Sequence, residues 1–408
     1  MKEKLYNNRV FVIIGAALFQ CALVGILTNS TGTLLAQIRA EYGFSMTRVS
    51  TFQILRSVSG ALGGTLVTTL LFKLDGPKFL MGIILLEVLG FLFLVFGADT
   101  WLWYICPVMM GPSSTVSMIA VPYLLNYRIP EHAGSATGIA MACSGLGGVL
   151  SNPLAAFLIE QFGWKIAICL MCALTVILAA IGVFLIFHGV SHSITAVPSS
   201  AQAGKGGRKK RNPQIRRRFI LCCVCLLSGN VCVAFVSFIS IFAEQIGYSL
   251  IVGATMVSAV MVGNIVSKLV FGFLCDWLGT WKAMKTCLLC ALLGTLGFSL
   301  FQGSLPLLYL SAFLFGFCYA IAAIAVSKCA LAAYDPENSK YYSGLHTSIN
   351  CAVGAIGSLG VGAMFDIINN FTPMLVAIAL ITLISFAATI LLSREIACCQ
   401  RSAEDSCG

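Results

Sequence analysis

The sequence predicts an all-α polytopic membrane protein with twelve transmembrane helices in two six-helix bundles. Three observations support this fold class. The 408-residue chain is 59% hydrophobic and 10% charged, with a mean hydropathy of +0.94, and a soluble protein of this size carries more charge. Apolar stretches recur, each long enough to cross about 30 Å of hydrocarbon as a helix of about 20 residues. One polar, basic segment divides these stretches into two equal sets.

The apolar stretches predict the spans in chain order. The first is interpreted as a retained helix rather than a signal peptide, because the run Val10–Leu27 is long and no A-x-A cleavage site follows it. Long apolar segments with short loops favour helices over the strands of a membrane barrel. The 18 cysteines lie mostly inside the spans and are interpreted as packing residues. The predicted spans are 9–31, 50–72, 79–98, 101–125, 134–159, 164–187, 219–243, 250–273, 283–302, 306–331, 343–365 and 371–393.

The composition changes once along the chain, at a segment rich in Ser, Gly, Lys and Arg. We therefore expect an N-terminal six-helix bundle over 1–187, a cytoplasmic basic linker over 188–218, and a C-terminal six-helix bundle with a short cytoplasmic tail over 219–408. The halves resemble each other, since each has a fourth span containing Gly and a Gly-rich fifth span. A parallel repeat of this kind places a binding site between the halves near the membrane midplane.

Basic residues predict the orientation of the spans. With both termini cytoplasmic, the internal segments hold most of the Lys and Arg residues, and the external segments hold only Arg39, Arg48 and Lys165. This bias fits the positive-inside rule. The run Lys205–Arg211 is interpreted as an orientation or lipid-contact signal rather than a nucleic-acid site. The expected location is the cell (inner or plasma) membrane, with membrane lipid as a contact and no nucleic-acid partner.

Charged residues inside the spans point to function. Arg56, Lys268 and Lys328 are basic and stand in apolar stretches, whereas Glu87 is the one clear acid there. A charge at the membrane centre costs at least about 2.5–3.5 kcal/mol and by default marks a functional site. The excess of cations predicts a cavity that holds a small anion.

The loop after the eighth span carries a family motif. Its residues Gly272-Phe-Leu-Cys-Asp276-Trp-Leu-Gly279-Thr-Trp-Lys282 resemble the G-x-x-x-D-x-x-G-x-[RK] loop of the major facilitator superfamily, and a degraded copy follows the second span. Within that superfamily the chain resembles the monocarboxylate transporter and oxalate/formate antiporter branch. The resemblance implies the major facilitator fold, with the glycines allowing a tight turn and Asp276 and Lys282 acting in the inner gate.

The same resemblance implies roles for residues of the second half. Lys268 stands where the family carries an Arg that binds the substrate carboxylate. Asn264 stands where monocarboxylate transporters carry a proton-accepting Asp, and Asn350 stands where the antiporters carry a second Lys. Lys328 is our own candidate for that second cation. Lys in place of Arg gives a point charge rather than a bidentate fork.

Each candidate also has a structural interpretation. Lys328 and Arg56 are near span ends and could reach the headgroups. Glu87 is expected to form an ion pair or a helix–helix hydrogen bond rather than to couple protons, and His346 is expected to be a histidine at the edge of a loop rather than a coupling residue. The remaining polar residues could line a cavity but more often bridge helices; they are Asn29, Tyr123, Tyr319 and Asn230.

These observations predict a secondary transporter of small organic anions, mono- or dicarboxylates such as oxalate, formate, lactate or pyruvate, working by alternating access with anion exchange. The alternatives are a proton-coupled carboxylate symporter, a multidrug or lipophilic-solute exporter, and a non-transporting receptor or scaffold. No nucleotide loop, metal-ligand cluster or nucleophile–base pair is evident, so we expect no enzyme activity, no metal and no cofactor. The protein is expected to act as a monomer.

Overall fold

The computed structural model describes residues 2–73, 75–129, 133–188, 213–334 and 336–405, and it is all-α over these ranges. Most of the predicted linker, 189–212, lies outside them. The helices are α1 (Lys2–Gln20), α2 (Asn29–Tyr42), α3 (Met46–Lys73), α4 (Gly76–Gly97), α5 (Leu102–Arg128), α6 (Ala133–Phe162), α7 (Trp164–Phe187), α8 (Pro213–Val236), α9 (Ile239–Gln245), α10 (Leu250–Leu278), α11 (Thr280–Leu300), α12 (Leu305–Phe315), α13 (Cys318–Ala320), α14 (Val326–Ala333), α15 (Pro336–Ile368) and α16 (Thr372–Asp405).

Every predicted span coincides with a helix or with a run of consecutive helices, so the predicted fold class is confirmed. In the described part of the chain, ten helical stretches are long and apolar enough to cross a membrane. The predicted second and fourth spans, α3 and α5, are not among those ten. Both are helical, but the side chains of 64–73 in α3 and of several residues over 114–127 in α5 lie outside the described residues.

Three spans depart from a regular α-helix. The first span contains a π-helical segment, Cys21–Thr28, between α1 and α2. The seventh is broken by a turn between α8 and α9, and the tenth by a turn after α12 followed by a second π-helical segment, Ile321–Ala325. Such interruptions in a helix are frequent at functional sites because they change the direction in which side chains project.

Glycines end helices and let helices approach closely. Gly43 closes α2 with φ of +65°, and Gly279 stands between α10 and α11 with φ of +85°; both are conformations that favour glycine. Inside the bundle, a Cβ built on Gly25 of the first π-helical segment would lie 2.7 Å from the Cα of Gly147 in α6. That separation is too short for any side chain, so the two backbones touch directly.

Two compact units are present in the chain. Unit 1 comprises the described residues of Met1–Ser199 together with Ser237–Met261, and unit 2 comprises those of Ser200–Val236 and Val262–Gly408. The bundle boundaries predicted from composition stay a prediction.

The segment Ser237–Met261 has polar contacts within unit 1. The Thr33 hydroxyl donates to Oδ1 of Asn152 at 3.0 Å and lies 3.2 Å from the Ser240 hydroxyl. The Ser258 hydroxyl donates to the carbonyl of Val149 at 2.8 Å. These hydrogen bonds attach α9 and the first half of α10 to α2 and α6.

Candidate functional site

Arg56 is a buried, paired cation of unit 1. Its side chain projects from α3 and the residue is 6% exposed, and its Nη2 donates to Oε1 of Glu87 in α4 at 3.1 Å. Its Nη1 donates to the hydroxyl of Thr31 in α2 at 2.9 Å. Arg56 therefore does not reach the headgroups, one of the interpretations considered from the sequence. Its charge is balanced inside the protein.

Glu87 completes this network. The residue is fully buried, and its Oε1 also accepts a hydrogen bond from Thr28, the last residue of the first π-helical segment, at 3.0 Å. A buried carboxylate is tolerated when it is paired and hydrogen-bonded. The network links α3, α4 and the middle of the first span. The charges of Arg56 and Glu87 therefore hold these helices together.

Lys268 and Lys328 of unit 2 differ from Arg56. Lys268 lies in α10 and Lys328 in α14, and both are half-buried. Within the described residues neither ammonium has a hydrogen-bond or ion-pair partner, whereas Arg56 has several. An intramembrane cation without a protein partner is a candidate for binding an anion from outside the protein.

The backbone around Lys268 is held firmly against the tenth span. The hydroxyl of Ser267 donates to the carbonyl of Asn264 at 2.9 Å and to that of Gly316 at 3.4 Å. Gly263 packs on the Phe313 carbonyl so closely that no Cβ would fit. The helix that carries Lys268 is therefore rigidly positioned at the break after α12, and Asn264, one turn before Lys268, is buried there.

Asn230 and Asn350 bridge helices of unit 2. The Asn230 amide donates to the backbone carbonyl of Asn350 at 2.6 Å, which joins α8 to α15. The Asn350 amide donates to the carbonyl of Ala322, in the second π-helical segment, at 3.2 Å. The Oδ1 atom of Asn350 is buried and has no hydrogen-bond partner in the described part of the chain. The side-chain oxygen of Asn350 therefore accepts no hydrogen bond from the described residues.

His346 is not at the edge of a loop, and the interpretation that placed it there is wrong. Helix α15 begins ten residues earlier, at Pro336, and His346 is 2% exposed. Its two ring nitrogens lie 3.4 Å from Sγ of Cys223 and 3.2 Å from the hydroxyl of Tyr334. Hydropathy alone placed the start of this helix at residue 343 because the first turns of α15 are polar.

The other polar candidates lie in different surroundings. Asn29 donates to the carbonyl of Ser144 at 2.9 Å and so bridges the first span to α6. Tyr319 is half-buried in α13. The side chain of Tyr123 lies outside the described residues, although its backbone belongs to α5.

The predicted gating loop lies at the junction of α10 and α11. Gly272 is inside α10, Gly279 forms the turn, and Lys282 is exposed in the first turn of α11. The side chain of Asp276 lies outside the described residues. Gly279 gives this turn its positive φ, and the role of the four motif residues in gating stays a prediction.

The candidates thus divide between the units. Unit 1 holds Arg56, Glu87 and Asn29, and unit 2 holds the remaining described candidates. Sequence reasoning missed Thr28 and Thr31, which are three residues apart and therefore share one helix face. No group of three or more metal-ligating side chains occurs in the described ranges.

The model of the Major Facilitator Superfamily matches residues 17–358, which is most of the chain. A comparison with curated proteins gave no match.

Solved structures share the fold at low sequence identity. The nucleoside transporter NupG is 12% identical with a TM-score of 0.71, covering 95% of this chain and 99% of that one. A bacterial homologue of the human lysosomal transporter Spinster, in an inward-facing and occupied conformation, is 14% identical with a TM-score of 0.68, covering 95% and 97%. At such identities the likeness concerns the fold alone. Together with the family match over residues 17–358, it shows that this multi-pass membrane protein belongs to the Major Facilitator Superfamily of transporters.

Proposed function

We propose that the protein is a secondary transporter of small organic anions, mono- or dicarboxylates, that works by alternating access. One observation carries this proposal. Lys268 and Lys328 project from transmembrane helices of unit 2, and neither has a protein counter-ion among the described residues.

The sign of the free charge selects the substrate class. Because Arg56 is neutralised by Glu87, Lys268 and Lys328 are the candidate cations that lack a counter-ion among the described residues and can attract a ligand. A carboxylate bound by a desolvated cation makes charge-assisted hydrogen bonds about twice as strong as neutral ones. An exporter of lipophilic cations needs acids in its cavity instead, and the described acid within a span, Glu87, is already paired.

Exchange of one anion for another is the favoured mode of coupling. A carrier that returns empty must move uncompensated lysine charge through a low-dielectric interior, which costs several kcal/mol. A second anion loaded for the return removes that cost. Asn264 supports this choice, because it replaces the carboxylate that would otherwise release a proton next to Lys268.

Three other functions remain to be tested against this one. Proton-coupled carboxylate symport uses the same lysines with a different driving ion. Transport of an uncharged solute is suggested by the neighbour described as a nucleoside transporter. An uncharged solute would not supply a counter-ion for Lys268 and Lys328. A receptor or scaffold without transport is the alternative from another functional class.

The expected setting is a cell membrane with both termini cytoplasmic and the protein acting as a monomer. This orientation is inferred from the positive-inside rule. The gating residues Gly272, Asp276, Gly279 and Lys282 then lie at the cytoplasmic end of the eighth span.

Reconstituted transport tests the proposal. Purified protein in liposomes is given labelled oxalate, formate, lactate or pyruvate, with and without unlabelled carboxylate inside and at equal pH on both sides. Strong stimulation by internal carboxylate is expected. Uptake into empty vesicles driven only by an inward proton gradient would overturn the exchange mode, and saturable uptake of none of these anions would overturn the substrate class.

A further inference from the structure

We propose that the ends of α8 and α16 form a binding site for the phosphodiester headgroup of an anionic phospholipid. Arg217 is the main anchor of this site, and Arg216 and Arg394 lie beside the contact that joins the two helices. The site does not depend on the proposed transport function and uses residues that this function leaves without a role. It does not include the basic run Lys205–Arg211, which lies outside the described residues.

The three arginines lie at the edge of the membrane spans. The seventh predicted span begins at residue 219, and Arg216 and Arg217 stand three and two residues before it. The twelfth predicted span ends at residue 393, and Arg394 follows it directly. The two helix ends meet there, because the side chain of Arg217 in α8 contacts that of Glu395 in α16. These spans place all three guanidinium groups at the level of the lipid headgroups.

The contact with Glu395 directs Arg217 and Arg218 differently. Oε2 of Glu395 lies 3.2 Å from Nε of Arg217, and its Oε1 lies 3.6 Å from Nε of Arg218. Arg218 is directed inward, since its Nη1 donates to the carbonyl of Ala333 at 3.5 Å. The Arg217 side chain is 70% exposed, and its two Nη groups make no hydrogen bond to the described residues. They offer the paired donors of a guanidinium that bind two oxygens of one phosphate.

The charges described at this end of unit 2 are unequal. Over residues 215–221 and 391–397 they are those of Arg216, Arg217, Arg218, Arg394 and Glu395. Four cations thus face one acid, and that acid is shared by Arg217 and Arg218. Arg216 and Arg394 are exposed, and neither has an ion-pair partner within the described ranges. The excess positive charge favours an anionic lipid over a zwitterionic one.

An apolar surface continues from the arginines along both helices. On α8, Ile220 is exposed one turn after Arg216, and on α16, Leu391 is exposed one turn before Arg394. Residues three or four positions apart share one face of a helix. The exposed Ile384 extends the same face of α16 by two further turns. A lipid with its phosphate on the arginines can lay its acyl chains along this surface, so the surface favours a phospholipid over free phosphate.

A phosphate bound here would connect two helices that are far apart in the chain. Charge-assisted hydrogen bonds from Arg217 of α8 and Arg394 of α16 to one headgroup oppose the separation of these helices. A ligand that binds the folded protein alone raises its stability in proportion to its occupancy. Anionic lipid should therefore stabilise the protein against unfolding, and added salt should weaken this effect.

Lipid binding by the full-length protein tests the site. Protein in an uncharged detergent is given phosphatidylglycerol or phosphatidylcholine, and bound lipid is measured by native mass spectrometry and the unfolding temperature by a thermal scan. We expect phosphatidylglycerol to bind more tightly and to raise the unfolding temperature more. Equal binding and equal stabilisation by the two lipids would overturn the proposal.

A double variant locates the binding. Arg216→Gln with Arg394→Gln keeps both arginine contacts of Glu395 and should weaken phosphatidylglycerol binding about 5-fold for each charge removed. The matched control is Lys78→Gln with Lys165→Gln, which removes two exposed cations of unit 1 and should bind the lipid about as well as the parent. An equal loss in the control would mean that the whole positive surface, rather than this site, attracts the lipid.

Two further measurements separate a lipid site from its alternatives. Glu395→Gln keeps a side-chain oxygen for the two arginines and removes the acid, so it should tighten phosphatidylglycerol binding about 5-fold. Weaker binding by this variant would contradict the electrostatic basis of the site. Inorganic phosphate should stabilise the protein less than phosphatidylglycerol does at the same concentration. Equal stabilisation by inorganic phosphate would assign the arginines to a soluble anion instead of a lipid.

Discussion

Arg56 in unit 1 and Lys268 in unit 2 are both cations within membrane spans, and the protein treats them differently. Arg56 is 6% exposed and donates hydrogen bonds to Glu87 and to threonine hydroxyls. Lys268 is half-buried on α10 and has no counter-ion among the residues described. The comparison shows that a charge in a span is not by itself a site. Its partners decide whether it holds helices together or is left for a ligand.

The chemistry of the two side chains fits this division. A guanidinium offers five donors in a fixed plane and is suited to permanent buried networks with several acceptors. An ammonium on a flexible stem is a compact charge that a mobile ligand can approach from several directions. If the two roles are correct, removing a partner of Arg56 should harm stability, and removing Lys268 should harm transport.

The largest expected effect is on stability. Replacing Glu87 by Gln leaves the Arg56 charge buried without a counter-ion, which should destabilise the protein by about 3–5 kcal/mol. Thermal unfolding in detergent measures the loss. The double variant Arg56→Leu with Glu87→Leu removes both charges and should recover most of it. A Glu87→Gln variant as stable as the parent protein would show that the Arg56–Glu87 ion pair does not stabilise the fold.

The next effect is on transport. Replacing Lys268 by Gln should lower kcat/KM for a carboxylate about 10- to 100-fold, because a hydrogen bond to a charged group contributes about 1.5–3 kcal/mol. Unfolding temperature should stay near that of the parent, and Lys268→Arg should retain partial activity. Lys165→Gln, a loss of one exposed charge, is the matched control. Normal transport by the Gln variant would remove Lys268 from the site.

A smaller loss is expected at Lys328. It lies about five to seven residues from the predicted cytoplasmic boundary, a distance that a lysine stem can shorten by extending towards the surface, so we expect its ammonium to be less desolvated than that of Lys268. Lys328→Gln should lower kcat/KM about 2- to 10-fold, equivalent to about 0.5–1.5 kcal/mol. Measured in the same liposomes, a loss larger than that of Lys268→Gln would reverse the ranking of the two lysines.

The smallest effects concern the bridging amides, which should behave alike in both units. Asn29 bonds the Ser144 carbonyl in unit 1, and Asn230 bonds the Asn350 carbonyl in unit 2. Replacing either by Ala should cost about 0.6 kcal/mol of stability, the average for hydrogen bonds between membrane helices. Equilibrium unfolding in mixed micelles resolves this difference. A selective loss of transport in Asn230→Ala would instead assign that amide to substrate binding.

The fold could be predicted from the sequence because apolar stretches of membrane length require helices whatever their neighbours are. The pairing of Arg56 with Glu87 could not, since the residues are 31 positions apart and only the packing of α3 on α4 brings them together. The burial of His346 was missed for a related reason. The turns from Pro336 onward are polar, so hydropathy placed the helix start too late.

The composition of the sequence does not predict where the spans are interrupted. Cys21–Thr28 is more apolar than the helices on either side of it, as expected for a regular membrane helix, yet it is π-helical. Lys268 and Lys328 are the part of the candidate site that the sequence indicates best, because a charge in an apolar stretch is visible without knowledge of the fold. Which of the three cations was already neutralised depended on tertiary contacts.

The first π-helical segment takes up extra chain length within the first span. A π-turn holds one residue more than an α-turn, so the helices on either side of it keep their faces, and deleting one residue between Cys21 and Thr28 would only bring the segment closer to a regular helix. A deletion in α1 after Gly15 has no such outlet, because each residue of an α-helix turns the chain by about 100°. Gly15, which packs against the Gly182 backbone where no Cβ would fit, would then be replaced at that contact by a residue with a side chain. The span therefore tolerates a change of length in the π-helical segment better than one in α1.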